Sequence, residues 1–137
     1  MLVFLDANIV IHTVEQPPDL GPRALEHVRR LLADGHDLLV SQLVRMECLV
    51  QPFTTGDGGL LAEYDGFFGS ELVAVADITG PICERAARLR ALHKLQALDA
   101  LHFATAIEEG CAAFLTNDAR LPLVEGIRLL MLGEGGQ

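Results

Sequence analysis

"LVFLDANIV", Leu2 to Val10, is the stretch on which the fold turns. Four apolar residues, Leu2 to Leu5, have the length and composition of a short strand buried on both faces. The run ends on a carboxylate, Asp6, followed two residues later by an amide, Asn8. A charge at the end of a core strand has two readings. Asp6 caps a following helix, or it belongs to a group of acids that share a cation. The rest of the chain bears on that choice.

Outward from this stretch, apolar runs alternate with amphipathic ones. Strands are predicted at Leu2–Leu5, Leu38–Val40, Leu72–Ala76, Ala113–Leu115 and Arg128–Leu132. A helix is predicted from Pro22, a first-turn proline, with Ala24, Leu25, Val28, Leu31 and Leu32 at helical spacing before Gly35. Ser41 is a good N-cap for a second helix over Gln42–Val50. Pro81 leads into a third, marked by Ile82, Ala86, Leu89 and Leu92, and a fourth runs from Asp99 to Glu109 and stops at Gly110. Alternating strands and helices predict an α/β fold, a short-stranded parallel sheet flanked by helices. The 137 residues suit one domain, 1–137. The segment Pro52–Gly69 breaks the rhythm. "TTGDGG" reads as a glycine-rich turn and "LLAEYDGFF" as a short helix, either packed inward or presenting an apolar surface to a partner. The final "GEGGQ" is expected to fray.

Half of the residues are hydrophobic, enough for a core, and disorder is not expected. The apolar runs stop well short of the ~18 residues a membrane helix needs. No basic region precedes the short N-terminal run, so neither a secretory signal nor a membrane anchor is expected. Cys48, Cys83 and Cys111 are scattered with no CxxC pair, which suits reduced thiols and a cytoplasmic setting. The five histidines have no zinc-like spacing. A net charge of −9 argues against nucleic-acid binding unless some of the acids hold metal, which reverses the local field.

Position separates four acids from the remaining fifteen. Sites in open α/β sheets form beyond the carboxyl ends of the strands. Asp6 ends the first strand, Glu47 rides the helix leaving the second, Asp99 opens the fourth helix, and Asp118 follows the fourth strand. Asp6 and Asp99 also read as helix caps or first-turn acids, and Asp118 as a turn residue. Glu47 is harder to dismiss, since it sits in "LVRMECLV" between Leu43 and Val50 on a face expected to be covered. Two carboxylates about 4 Å apart repel by roughly 4 kcal/mol at an effective dielectric of 20, so a converging set calls for a cation. Hard oxygen donors without Cys or His suit Mg²⁺ or Mn²⁺, ions that serve phosphodiester hydrolysis.

In this order and spacing, "FLDANIV", "SQLVRMECL", "LQALDALHFATA" and "FLTNDARL" resemble the motifs of the PIN-domain nucleases. The small size resembles the VapC-type toxins of type II toxin–antitoxin pairs. The resemblance spans essentially the whole chain, and its third and fourth motifs are the most specific. It implies a PIN-like three-layer sandwich, a Mg²⁺-dependent endoribonuclease with Mn²⁺ as substitute, and a toxin that stops translation and growth. It also implies a homodimer and a cognate antitoxin. Asp6, Glu47, Asp99 and Asp118 match the family's four acids, with Asp6 and Asp99 as core metal ligands and Glu47 and Asp118 completing the set. Asn8 and Thr116 match pocket positions, and Asn117 stands beside them. RNA would be cut to leave a 5′-phosphate and a 3′-hydroxyl. Ala7 departs from the family, which usually has a hydroxyl residue there, and the Pro52–Gly69 segment falls in its most variable region.

Arg45, Lys94 and Arg120 flank the acidic motifs and either contact the RNA backbone or simply face water. His102, three residues after Asp99, reads as a core histidine and is assigned no catalytic role. The Leu60–Phe68 segment is the candidate dimer surface. Two other functions compete. An aspartate-based phosphatase or phosphotransferase wants a second aspartate where Asn8 stands, or a lysine after a late strand, and none follows Lys94. A nuclease-like module that binds RNA or protein without cutting keeps the four acids but not the turnover.

Overall fold

The computed structural model describes residues 1–132, so the terminal "GEGGQ" lies outside the described residues. Five short parallel strands form one sheet in the order β3-β2-β1-β4-β5. They are β1 (Leu2–Leu5), β2 (Asp37–Ser41), β3 (Val73–Ala76), β4 (Ala113–Thr116) and β5 (Arg128–Met131). Helices α1 (Ala7–Glu15) and α2 (Leu20–Ala33) join β1 to β2, and α3 (Gln42–Thr55) and α4 (Gly58–Phe68) join β2 to β3. Helices α5 (Gly80–Leu92) and α6 (Ala97–Glu108) carry the chain back across the sheet to β4. Strand order grows one way as far as β3 and then reverses to β4, so right-handed crossovers cover both sheet faces. This is the predicted α/β architecture, a short parallel sheet flanked by helices.

The central strand is β1, paired Phe4 to Leu39 on one side and Phe4 to Phe114 on the other. Each of its partners buries apolar side chains, as expected of parallel strands covered on both faces. Phe4 stacks on Phe114 at 5.1 Å, and Phe103 of α6 stacks on the same Phe114 at 4.4 Å. That aromatic stack seats α6 on the sheet and thereby places its first turn at the rim.

Several boundaries differ from expectation for local reasons. Helix α2 starts at Leu20, two residues before Pro22, and α6 at Ala97, two before Asp99, so Pro22 and Asp99 lie within first turns. Helix α3 does not stop near Val50 but runs through Pro52 to Thr55. Proline removes one helical hydrogen bond, yet the Pro52 ring is buried and the helix carries on past it. Gly56, at φ 70°, closes the helix in the left-handed region where glycine is free of Cβ strain. Thus Pro52–Gly69 is not a loop plus a helix. It is the end of one helix, a two-residue turn and the whole of another.

The aromatics of that segment also face inward more than outward. Tyr64 and Phe68 are buried, and the Tyr64 hydroxyl donates to the Glu15 carboxylate, so Glu15 is not simply a solvated acid. Leu72, Leu92 and Leu123 are exposed singly, whereas α3 carries a row of exposed apolar side chains. Met46, Val50 and Phe53 follow one another at i, i+4 and i+7, with Phe53 66% exposed. No helix among the described residues is long and apolar enough to cross a membrane.

Candidate active site

The carboxyl ends of β1 and β4 lie side by side, and a polar lattice spans them. Asp6 has extended backbone (φ −66°, ψ 156°) and is the N-cap of α1, its Oδ1 accepting the Ala7 N–H at 2.8 Å. Its Oδ2 accepts the Thr116 hydroxyl at 2.6 Å and the Asn8 amide at 3.2 Å. The two readings of Asp6 are therefore compatible, because capping occupies one oxygen edge and the rim the other. A carboxylate offers about four acceptor directions, and three donors use three of them, leaving one on Oδ1.

Thr116 and Asn8 work in both directions. The Thr116 Oγ1 also accepts the Asp118 backbone N–H at 3.0 Å, and the Asn8 Oδ1 accepts the Asn117 N–H at 2.9 Å. The turn after β4 is thus pinned to the start of α1, which carries Asp118 to the rim beside Asp6. Asn117 contributes its backbone here. Ala7, at the position where a hydroxyl was expected by resemblance, gives the lattice its N–H instead.

Asp99, half-buried in the first turn of α6, shares a cavity of about 170 Å³ with Asp118, Lys94 and Arg120. Burial and the neighbouring Asp6 carboxylate push its carboxyl above the ordinary range, with His102 opposing and Asp118 and Glu47 adding to the rise. Asp99 therefore feels the other three acids across this rim. Asp118 goes the other way. Its two oxygens receive the Arg120 guanidinium in a fork at 3.0 and 3.1 Å, and that pairing holds its carboxyl below the usual range.

Glu47 is not on a covered face of α3. The buried residues of that helix are Val44, Cys48 and Pro52, Val50 is exposed, and the Glu47 side chain is 30% exposed. What holds Glu47 is His102, whose Nε2 lies 2.6 Å from its Oε1. Sequence reasoning placed His102 in the core, and the structure buries it, but its partner is an acid 55 residues away that no local pattern reveals. Nearby Cys48 is buried, and desolvation together with Glu47, Glu15 and Asp6 pushes its thiol up to about 12, so it remains an unreactive filler. Among the basic residues, Lys94 and Arg120 line the acidic cavity, whereas Arg45 lines a separate one with Asp65 and Phe68.

Among the described residues no three His, Cys, Asp or Glu side chains converge into a metal-holding cluster. The donor chemistry still fits a hard divalent ion, since Mg²⁺ commonly takes one or two carboxylates and keeps several waters. Asp99, an acid that neighbouring charges make costly to ionise, and the free direction on Asp6 suit that mode.

A family model described as PIN domain matches residues 3–127. No curated protein matches the sequence. Among solved structures, a chain in VapBC2 from Rickettsia felis bound to a DNA fragment from their promoter superposes with a TM-score of 0.79 at 18% identity, covering 96% of this chain and 98% of that one. A chain in DNA-bound VapBC from Salmonella typhimurium gives 0.77 at 20% identity, with 97% and 100% covered. VapC20 from Mycobacterium tuberculosis, a Sarcin-Ricin loop cleaving toxin, gives 0.68 at 20% identity, with 86% and 91% covered. At such identities the likeness speaks for the fold.

Proposed function

The chain belongs to the PIN-domain family, and from that premise we propose that it is a divalent-metal-dependent endoribonuclease, the toxin of a toxin–antitoxin pair. The observation that carries the reading is the placement of Asp99 beside an open cavity, where the charges of Asp6, Asp118 and Glu47 act on it. Asp6 and Asp99 are the residues that would hold the ion, Mg²⁺ or Mn²⁺, with Glu47 and Asp118 at its periphery. When bound, such an ion activates water and stabilises the negative charge that develops on a phosphate.

The protein's own part is positioning. Thr116 and Asn8 orient the Asp6 carboxylate, and the Asn117 and Asp118 N–H groups keep the turn after β4 in register with it. Lys94 and Arg120 line the acidic cavity and are proposed to contact the phosphate backbone, Arg120 alongside its pairing with Asp118. Arg45 is set apart from that cavity and is not needed for it. Scission leaves a 5′-phosphate and a 3′-hydroxyl.

Incubation of purified protein with total RNA should give new 5′-phosphate ends with Mg²⁺ or Mn²⁺ and none in EDTA. Asp6→Asn should lose cleavage, and inducing the wild type alone should arrest translation and growth. Full activity in EDTA, or in Asp6→Asn, would exclude this assignment. Metal binding without cleavage of any RNA would mark a binding module instead.

The cytoplasmic protein is proposed to pair with itself and with an antitoxin. The exposed stripe of Met46, Val50 and Phe53 on α3, rather than the inward-facing Leu60–Phe68 segment, supports the self-contact. Phe53→Asp should convert a sedimenting dimer to monomer while leaving the circular dichroism unchanged. A wild type that stays monomeric at about 100 µM, a concentration at which an interface of micromolar affinity is saturated, would refute the stripe as an interface.

A further inference from the structure

The tie between His102 and Glu47 explains a residue that packing alone does not. His102 stands one turn after Asp99 on α6, so the two side chains share a helix face. Its ring is 1% exposed and tilts against Phe4, with centroids 5.8 Å apart. A carboxylate only accepts hydrogen bonds, so at 2.6 Å from Glu47 Oε1 the Nε2 atom is the donor. The other ring nitrogen, Nδ1, is buried with no hydrogen-bond partner among the described residues. A side chain selected only to fill this space would not carry an unmet polar atom, since such atoms are costly in a core. The cost is explained if Nε2 has work to do.

Glu47 needs that work. Its side chain is partly exposed on α3, and a free glutamate there would spread over several rotamers in water. The bond to His102 joins α3 to α6 one turn from Asp99 and so holds the second acid in a set position relative to the third.

Building on the metal-site reading above, we propose that His102 is a positioning residue: it holds the Glu47 carboxylate at the acidic rim and so sets the affinity of the rim for a divalent cation. It touches neither substrate nor ion in this role, and acts only through Glu47.

The experiment is Mn²⁺ titration by calorimetry on the full chain, with thermal melting as a check on folding. His102→Leu fills the space without a donor and should weaken Mn²⁺ binding by about 10–100-fold, the usual cost of losing a partner that orients a ligand. His102→Gln, whose amide reaches the same point, should recover most of the affinity. His102→Asn is polar but too short, should behave like His102→Leu, and carries the test if His102→Leu does not fold. In a Glu47→Ala background, His102→Leu should change Mn²⁺ affinity no further, because the two losses are one interaction. Unchanged Mn²⁺ affinity in both His102→Leu and His102→Asn, with a loss in Glu47→Ala, would overturn the positioning role and leave the site reading standing. Losses that multiply in the double variant would also overturn it. Unchanged affinity in both Glu47→Ala and Asp99→Asn would sink the site reading itself.

Discussion

Asp99→Asn should abolish metal-supported RNA cleavage and, in EDTA, make the protein more stable than wild type. The two effects have one cause. Asp99 lies within the field of three other acids and is half-buried, and both push its carboxyl above the ordinary value of 3.8. A carboxyl whose folded pKa exceeds its unfolded pKa holds its proton more tightly when folded. It therefore subtracts stability above the folded value, and this penalty fades as the pH falls through the folded value toward the unfolded one. The neutral amide escapes the penalty. Scanning calorimetry of both proteins in EDTA should show the variant melting higher at pH 7 and the gap closing toward pH 4. With Mn²⁺ at 100 times its dissociation constant the order should invert, since binding to the native state contributes about 2.7 kcal/mol. The loss of cleavage should exceed ~100-fold, more than is usual for a residue that merely supports a ligand. A variant that melts no higher in EDTA would show that the carboxylates do not strain one another.

Phe103→Ala should cost about 3–5 kcal/mol of stability, as is typical of deleting a buried aromatic ring. The ring is fully buried and stacks on Phe114, which stacks in turn on Phe4 of the central strand. Against a total of ~5–15 kcal/mol for a domain, that is a large share. With a urea dependence near 2 kcal/mol per molar, the midpoint should fall by roughly 2 M. Because α6 carries Asp99 and, one turn later, His102 and Phe103, the seat of the helix and the geometry of the rim should fail together. A midpoint shift below ~0.5 M would mean that the site collapses around the missing ring at little cost.

How far the sequence reaches differs between parts of the molecule. Buried parallel strands are continuous apolar runs, and every strand lies where such a run was predicted, within a residue or two. Caps were legible too. Ser41 accepts the Val44 N–H as expected, and Pro81 sits in the first turn of α5 as expected, with Thr79 as its cap. Pro52 misled because a proline normally ends a helix, yet here its ring is buried and α3 continues past it to Thr55. The aromatics of α4 read either as packed inward or as a projecting patch, and the contact of Tyr64 with Glu15 of α1 and the burial of Tyr64 and Phe68 decide for packing. The acids' positions at the rim were legible because strand ends mark the rim. Their partners were not, since Thr116 lies 110 residues from Asp6 and His102 lies 55 from Glu47. No periodicity encodes contacts at that range.

The central place of β1 also sets a schedule for the chain. Its first neighbour, β2, arrives within about forty residues of the N-terminus, but its second, β4, begins only at Ala113. Until then one edge of the strand bearing Asp6 stands open, and the hydroxyl that orients this carboxylate does not yet exist on the growing chain. A nascent polypeptide thus holds the first acid 110 residues before the hydroxyl that orients it. For a protein proposed to cut RNA, this order of synthesis keeps the site incomplete until Thr116 and Asp118 have been made.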